Sequence, residues 1–252
     1  MVELYKKVHL NFGQKISKIP MEPKKFSTTE PICVPLLLKE NGQQNLRQNK
    51  INKKFVYLIS PNKIRDESFY TNLALVLNSG KVNYFQLRLK KETNSKKLTI
   101  GKKIKKICKK YNVQFLINDD PVLAKKINAD GCHLGQNDMD IIKARKLLKN
   151  KIIGVTCHNS IELAKNAIEA GANYLAFGAF YTSKTKIVKY RASFKILKSI
   201  KKITTLPIVA IGGIKLNNYK KLLLNKANFL AISGYIWNNK KYKPLEAIKK
   251  LK

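Results

Sequence analysis

Two stretches of this chain decide its fold, Phe85-Gln86-Leu87-Arg88-Leu89-Lys90 and Phe115-Leu116-Ile117-Asn118-Asp119-Asp120. In each, an apolar run typical of a buried strand passes directly into charged or amide side chains. The pattern recurs further along the chain, at His133-Leu134-Gly135-Gln136-Asn137-Asp138, Gly154-Val155-Thr156, Phe177-Gly178, Ile211-Gly212-Gly213-Ile214 and Ala231-Ile232-Ser233-Gly234. Polar residues at successive strand ends are typical of a parallel barrel, because the carboxyl ends of its strands meet on one rim.

From Phe55 onward, short apolar runs alternate with longer lysine-rich segments of helical period. The pattern predicts strands over residues 55–60, 82–88, 113–117, 130–134, 151–155, 173–178, 207–211 and 228–233. It predicts helices over residues 66–79, 95–111, 121–128, 138–149, 159–170, 191–202, 216–225 and 243–251. Eight such units favour an α/β fold, a (β/α)₈ TIM barrel over residues 55–252. A doubly wound open sheet is the alternative, but Ser60-Pro61-Asn62 stands where that fold places a glycine-rich turn.

The first 54 residues differ from the rest and are interpreted as an irregular N-terminal extension. They contain four prolines and polar runs such as Asn41-Gly42-Gln43-Gln44-Asn45, without a sustained period, which predicts a partly disordered segment. Neither a signal-peptide core nor a membrane span is recognisable in the sequence. Because no stretch is long and apolar enough for a membrane span, no membrane partner is expected. The four cysteines show no CxxC spacing, so a reducing, cytoplasmic location is expected. Neither the Cys132-His133 pair nor the Cys157-His158 pair is expected to chelate zinc, because adjacent strand residues face opposite ways. His133 and the two cysteines are expected in the barrel core or wall, whereas His158 lies just beyond a strand end, from where it can approach the pocket.

The net charge of +36 raises the question of nucleic-acid binding. Only five of the 51 basic residues are arginine, the residue favoured for forked phosphate and base contacts. The excess charge is also spread along the chain rather than concentrated in one patch. A lysine-rich nucleic-acid-binding protein therefore remains an alternative, but no specific nucleic-acid partner is expected, and the charge is interpreted as a general attraction for anionic ligands.

Three polar side chains of the first stretch are predicted to share one face of their strand. Gln86, Arg88 and Lys90 alternate with apolar neighbours, and side chains two residues apart in a strand point the same way. A guanidinium, an ammonium and an amide on one face can hold a phosphate or diphosphate group. The alternative is a solvated strand end, which the surrounding apolar residues argue against.

Carboxylates follow two strands that would be neighbours in the barrel. Asp119 and Asp120 come after the third strand, and Asp138 comes after the fourth. Mg²⁺ takes oxygen ligands, commonly one or two carboxylates together with substrate phosphates, so the pattern predicts a Mg²⁺ site. The alternative is helix capping, since Asp120 and Asp138 both stand at predicted helix starts.

Phosphate contacts are also predicted at the later strand ends. Ser183, Thr185 and Lys186 lie in a polar loop after the sixth strand, where hydroxyls and a lysine can close over a phosphate. Gly212-Gly213 follows the seventh strand and Ser233-Gly234 follows the eighth. These two positions are the usual place for a phosphate on such barrels, because backbone N–H groups can approach it there.

Taken together, five motifs of this chain resemble those of the thiamine phosphate synthase family. They are Gln-Leu-Arg-x-Lys, Ile-Asn-Asp, Ala-Asp-Gly-x-His-x-Gly-Gln-x-Asp, Phe-Gly with a downstream Thr-Lys, and Ala-Ile-Gly-Gly-Ile, in the family's order and spacing. The resemblance runs from about Phe55 to the C-terminus and leaves residues 1–54 uncovered. It implies a transferase that joins 4-amino-2-methyl-5-(diphosphooxymethyl)pyrimidine to a thiazole phosphate and releases diphosphate. Mg²⁺ is the implied cofactor, the two small molecules are the implied partners, and the oligomeric state is left open.

The resemblance also implies roles for single residues. The diphosphate would be held by Arg88, Lys90, Asn118 and Lys186, of which Arg88, Lys90 and Lys186 are the catalytic residues. Mg²⁺ would be bound by Asp119 and Asp138. The pyrimidine substrate would be contacted by Gln86 and Thr156. The thiazole phosphate would be held by Ser183, Thr185, Gly213, Ile232 and Ser233.

The chain departs from the family pattern in several places. Thr156 stands where serine is frequent and Ser183 where threonine is, so both positions keep a hydroxyl. Ser233-Gly234-Tyr235 replaces a more usual Ser-Ala. The closest alternative is the related thiazole tautomerase type, which has the same barrel without the diphosphate and metal chemistry. The presence of a complete set of charged residues for diphosphate and metal argues against that alternative. They are Arg88, Lys90, Asp119, Asp138 and Lys186.

Overall fold

A computed structural model of the chain describes residues 54–182 and 190–252, and within them eight parallel strands close into a barrel. The strands are β1 (Val56–Ile59), β2 (Val82–Leu87), β3 (Gln114–Asn118), β4 (Gly131–Leu134), β5 (Ile152–His158), β6 (Tyr174–Gly178), β7 (Ile208–Ile211) and β8 (Phe229–Ile232). They pair in sequence order, and β8 pairs with β1. The predicted TIM barrel is confirmed.

Helices follow the strands in the order that the barrel requires. They are α1 (Ser68–Asn78), α2 (Asn94–Lys110), α3 (Pro121–Ile127), α4 (Ile141–Leu148), α5 (Ile161–Glu169), α6 (Phe194–Ile200), α7 (Tyr219–Leu224), α8 (Gly234–Trp237) and α9 (Pro244–Lys250). Helix α8 was not predicted, because four residues are too few to show a helical period. Strand β5 runs beyond its predicted end at residue 155, with a register irregularity between Thr156 and His158.

Apolar side chains are buried in two layers. The larger layer lies between the strands and the surrounding helices, where Leu73, Ile104 and Leu222 are fully buried. The smaller layer fills the barrel interior and includes Tyr57 and Tyr174. No helix in the described ranges is long and apolar enough to pass through a bilayer.

The structure shows which of the two candidate aspartates caps a helix. Asp120 caps α3, since its Oδ1 accepts a hydrogen bond from Leu123 N at 2.8 Å. Helix α4 is capped by Asp140 instead, so the capping interpretation of Asp138 is wrong. The predicted N-terminal extension, apart from Lys54, lies outside the described residues, as do Ser183, Thr185 and Lys186.

Candidate active site

The polar side chains at the end of β2 and directly after it lie in the interior of the barrel and at its carboxyl-terminal rim. Gln86 is buried, and its Nε2 donates to the Tyr57 hydroxyl at 3.1 Å. Arg88 is half-buried, and its guanidinium donates to Asn62 Oδ1 at 3.3 Å. Burial lowers the pKa of Arg88, whereas the nearby carboxylate of Asp119 raises it. Lys90 is exposed and forms an ion pair with Asp119, with its Nζ 2.7 Å from Oδ2.

A sharp bend after β3 separates the roles of two adjacent aspartates. Asp119 has a positive φ of 64°, a conformation that aspartate tolerates better than most residues. Its amide N donates to the carbonyl oxygen of His133 on the next strand at 2.8 Å, which fixes the bend. Since Asp120 caps α3, only the carboxylate of Asp119 is directed to Lys90.

Asp138 brings a second carboxylate to the same place. Its side chain lies beside that of Asp119, and its Oδ2 accepts from Gly135 N at 2.6 Å. Burial and the neighbouring Asp119 raise the pKa of Asp138. Burial alone would raise the pKa of Asp119 as well, but the hydrogen bond from Lys90 and the neighbouring Asp138 lower it on balance. The two carboxylates therefore influence each other, and the pKa values of the pair move in opposite directions.

This donor set fits Mg²⁺. Two carboxylates side by side repel each other, and a divalent cation between them relieves this repulsion. Mg²⁺ commonly binds one or two carboxylates and fills its other coordination positions with water or substrate phosphate. Among the described residues, no group of three or more His, Cys, Asp or Glu side chains is placed to hold a metal ion. A Mg²⁺ ion held by Asp119 and Asp138 would therefore keep open positions for a phosphorylated ligand.

Asn118 and a lysine that sequence reasoning missed complete this part of the rim. Asn118 is the last residue of β3, and it lines a recess together with Lys90, Asp119 and Lys97 of α2. Nothing in the sequence singled out Lys97, because it is one of many lysines at helical spacing. Its position adds a second ammonium group to the wall of this recess.

Inside the barrel, a hydrogen-bond chain joins Gln86 to Thr156. The hydroxyls of Tyr57 and Tyr174 lie 2.8 Å apart, and that of Tyr174 lies 2.8 Å from Nδ1 of His133. His133 Nε2 lies 2.8 Å from Thr156 Oγ1. Sequence reasoning missed these connecting residues, because aromatic residues within strands indicate packing and His133 was expected only in the core or wall.

The rim at β7 and β8 is built mainly from backbone. Gly213 has a φ of 59°, and a Cβ atom added there would lie 2.2 Å from the carbonyl oxygen of Thr182. Ser233 Oγ donates to the carbonyl oxygen of Ser60 at 3.0 Å. The side chain of Ile232 is buried between strands and helices, so Ile232 can offer a ligand only its main chain.

A closed parallel barrel with its charged side chains at the carboxyl ends of its strands has the architecture of a TIM-barrel enzyme. The model of the family described as thiamine monophosphate synthase matches residues 56–236. The chain belongs to this family, and it is an enzyme of the transferase class.

Relatives and solved structures agree with this assignment. The thiamine-phosphate synthase of Pelagibacter ubique (strain HTCC1062) is 82% identical over 207 residues, which are 82% of this chain and 100% of that protein. The thiamine-phosphate synthase of Nitrosomonas eutropha is 38% identical over 191 residues, covering 75% of this chain and 90% of that protein. The structure of thiamine phosphate pyrophosphorylase from Pyrococcus furiosus superimposes with a TM-score of 0.68 at 26% identity, covering 79% of this chain and 95% of that one.

Proposed function

We propose that this chain condenses 4-amino-2-methyl-5-(diphosphooxymethyl)pyrimidine with a thiazole phosphate to give thiamine phosphate and diphosphate. The observation that carries the proposal is the cluster of Arg88, Lys90, Asp119 and Asp138 at one rim of the barrel. Two cationic side chains beside a carboxylate pair suit a diphosphate that arrives together with a divalent cation. The substrates proposed for this chain contain such a diphosphate.

The leaving diphosphate is the group that this part of the rim would bind. Arg88 can donate two parallel hydrogen bonds to it, and Lys90 can supply a mobile positive charge. Asn118 lines a recess together with Lys90 and Asp119. Lys186, which lies outside the described residues, is proposed to bind the diphosphate with them. Mg²⁺ held by Asp119 and Asp138 would neutralise charge that develops on the diphosphate as it leaves.

The two rings are proposed to lie on either side of the bond that forms. Gln86 and Thr156 would contact the pyrimidine. Gly213, Ser233 and the main chain of Ile232 would hold the thiazole phosphate, helped by Ser183 and Thr185. A Cβ atom added at Gly213 would meet the carbonyl oxygen of Thr182, and Thr182 directly precedes Ser183 in the sequence, which supports this proposal.

The reaction needs no protein nucleophile. The bond between the pyrimidine's exocyclic carbon and the diphosphate oxygen breaks with its electron pair going to diphosphate. Electron donation from the aminopyrimidine stabilises the positive charge left on that carbon, and the thiazole nitrogen donates its lone pair to form the new bond. The residues of this chain hold the two rings in line and stabilise the leaving group, which are the two contributions that such a site can make.

The thiazole tautomerase alternative accounts less well for the rim. That reaction involves no diphosphate and no metal, so it gives no reason for two carboxylates to be held together at a cost in repulsion.

We place the proposed reaction in the cytoplasm. The three described cysteines, Cys108, Cys132 and Cys157, are buried free thiols, which supports a reducing compartment.

A two-substrate assay tests the proposal. The full chain is incubated with both phosphorylated precursors, with Mg²⁺ or with excess EDTA, and thiamine phosphate and diphosphate are quantified by chromatography. Equal amounts of the two products, formed only when both precursors and Mg²⁺ are present, are expected. Absence of thiamine phosphate under the complete conditions would contradict the proposed function.

A further inference from the structure

We infer that Ser60, directly after β1, is a positioning residue shared by the two parts of the rim, whose hydroxyl sets both the diphosphate contact at Arg88 and the thiazole-phosphate contact at Ser233. The inference rests on the proposed function, since it concerns how the two ligands of that reaction are held. Ser60 is only 1% exposed, so it offers a ligand no surface of its own. It acts through β2 and β8, which both pair with β1.

Ser60 continues the hydrogen-bond ladder between β1 and β2 with its side chain. Its amide N donates to the carbonyl oxygen of Gln86 at 2.9 Å. In a regular parallel ladder, the next bond would run from Arg88 N to the carbonyl oxygen of Ser60. Arg88 N donates to Ser60 Oγ instead, at 2.9 Å. The hydroxyl therefore fixes the main chain of Arg88 and leaves the Ser60 carbonyl oxygen to another partner.

That partner lies at the end of β8. Ser233 Oγ donates to the Ser60 carbonyl oxygen at 3.0 Å, and Trp237 Nε1 donates to the carbonyl oxygen of Ile59 at 2.7 Å. Because the chain turns into α8 after Ser233, side chains rather than amides reach these two carbonyl groups. Two adjacent carbonyls of β1 thus hold the segment that is proposed to contact the thiazole phosphate.

The residues around Ser60 also hold the side chain of Arg88. Asn62 stands two residues after Ser60, and its Oδ1 accepts from the Arg88 guanidinium at 3.3 Å. The proton of the Ser60 hydroxyl is directed to the carbonyl oxygens of Pro61 and Arg88, at 3.1 and 3.4 Å. The hydroxyl therefore ties the segment that carries Asn62 to the main chain of Arg88.

Loss of the Ser60 hydroxyl should disturb both parts of the rim together. An amide left without its acceptor in a partly buried position is costly. The carbonyl of Ser60 is the group that would replace the hydroxyl as the acceptor for Arg88 N, because that bond completes the regular ladder. Turning this carbonyl toward β2 moves it away from Ser233 and shifts Arg88 relative to β1. We therefore expect both ligand contacts to change when the hydroxyl is removed.

Calorimetry tests this expectation without requiring turnover. The affinities of Mg²⁺-diphosphate and of thiazole phosphate are measured for the full chain and for Ser60→Ala. Both dissociation constants should rise by about two- to tenfold, the equivalent of one hydrogen bond. Ser60→Thr keeps the hydroxyl and should restore both affinities. A folded Ser60→Thr that binds both ligands as weakly as Ser60→Ala would assign the effect to packing and overturn the inference.

A double variant tests whether Ser60 acts through Ser233. Substitutions that remove the same contact are not additive, so Ser60→Ala combined with Ser233→Ala should bind thiazole phosphate no more weakly than the weaker of the two single variants. A loss equal to the product of the two single losses would show that Ser60 does not act through Ser233.

Ser79→Ala is the matched control. The Ser79 hydroxyl also donates to a main-chain carbonyl, that of Val76, and accepts from a main-chain amide, that of Lys81. Ser79 lies before β2, at the amino-terminal end of the barrel, so both affinities should stay unchanged. Thermal unfolding shows whether each variant folds. If Ser60→Ala does not, Ser60→Cys replaces it, because sulfur is only a weak acceptor.

The inference and the proposed function can fail separately. Ser60→Ala that weakens only one ligand or neither, while the unaltered chain binds both, would overturn the inference alone. An absence of thiamine phosphate in the two-substrate assay would contradict the proposed function. An unaltered chain that binds neither ligand would contradict both.

Discussion

The rim at β2–β4 and the rim at β7–β8 differ in the chemical groups that form their surfaces. At β2–β4, charged side chains lie close together, with Lys90 paired to Asp119 and Asp138 beside them. At β7–β8, glycine and backbone define the surface, with Gly213 packed against Thr182 and Ser233 bonded to Ser60. This difference between the two parts of the rim matches the proposed ligands. A departing diphosphate gains negative charge that must be neutralised, whereas a phosphate that only anchors its ring needs close-fitting hydrogen bonds from the backbone.

The largest effect is expected from removing one charge at the β2–β4 rim. Asp119→Asn should lower kcat by on the order of 10²–10³, the typical loss for one electrostatic contact to the reacting groups. Steady-state kinetics with both precursors measures it, and circular dichroism should show an intact fold.

Asp120→Ala is the control for that variant, since Asp120 is the adjacent carboxylate. It removes the cap of α3 and should cost about 1 kcal/mol of unfolding free energy, while most of the activity is retained. If Asp119→Asn instead unfolds the protein but the folded fraction keeps its activity, Asp119 is a structural residue. The proposed difference between the charged β2–β4 rim and the backbone-built β7–β8 rim would then be contradicted.

A second effect concerns the metal requirement of the β2–β4 rim. Asp138→Asn should raise the Mg²⁺ concentration for half-maximal activity by at least about tenfold. Metal affinity already falls by this factor when a metal ligand loses only its hydrogen-bonding partner, and here a ligand itself is lost. The asparagine oxygen can still accept from Gly135 N, so the turn after β4 should persist. Mg²⁺ titration of initial rates is the measurement, and an unchanged Mg²⁺ dependence would remove Asp138 from the metal site.

A smaller effect is expected at the β7–β8 rim. Gly213→Ala would place Cβ against the carbonyl oxygen of Thr182 at a positive φ, so the turn should shift and raise the KM for thiazole phosphate by about tenfold, the equivalent of about 1.4 kcal/mol. The KM for the pyrimidine should change little.

Gly80→Ala separates backbone strain from the local clash. Gly80 has a similar positive φ of 72°, but an added Cβ meets nothing within 4 Å. Its variant should lose stability by about 1–2 kcal/mol from the left-handed conformation alone, with both KM values unchanged. Equal kinetic effects of the two glycine variants would contradict a phosphate contact at Gly213.

The smallest effect is expected from Ser233→Ala. It removes the hydroxyl that donates to the Ser60 carbonyl oxygen, which holds the ends of β1 and β8 together. One such hydrogen bond contributes about 0.5–1.5 kcal/mol, so a rise of about two- to tenfold in the KM for thiazole phosphate is expected. A rise confined to the KM for the pyrimidine would assign Ser233 to the other substrate.

The sequence predicted the two rims to different extents. The order of strands and the charged group at β2–β4 follow from local patterns, because apolar runs that end in Arg88 or Asp119 are visible in a single stretch. The sequence did not show which carboxylate caps a helix, because Asp120 and Asp138 occupy similar places in it. Only the observed cap of α4 at Asp140 distinguishes their roles. The hydrogen-bond chain through Tyr57 and Tyr174 could not be predicted either, because it depends on hydroxyls that meet inside the barrel from strands far apart in sequence.

The division of the rim into two substrate-binding parts is tested most directly by a crossed binding experiment. Calorimetry measures the affinity of Mg²⁺-diphosphate and of thiazole phosphate for Arg88→Ala and for Gly213→Ala, each against the unaltered chain. Arg88→Ala is predicted to weaken only the binding of Mg²⁺-diphosphate, and Gly213→Ala only that of thiazole phosphate. If both variants weaken the same ligand, or each weakens both ligands equally, the two parts of the rim are not separate sites.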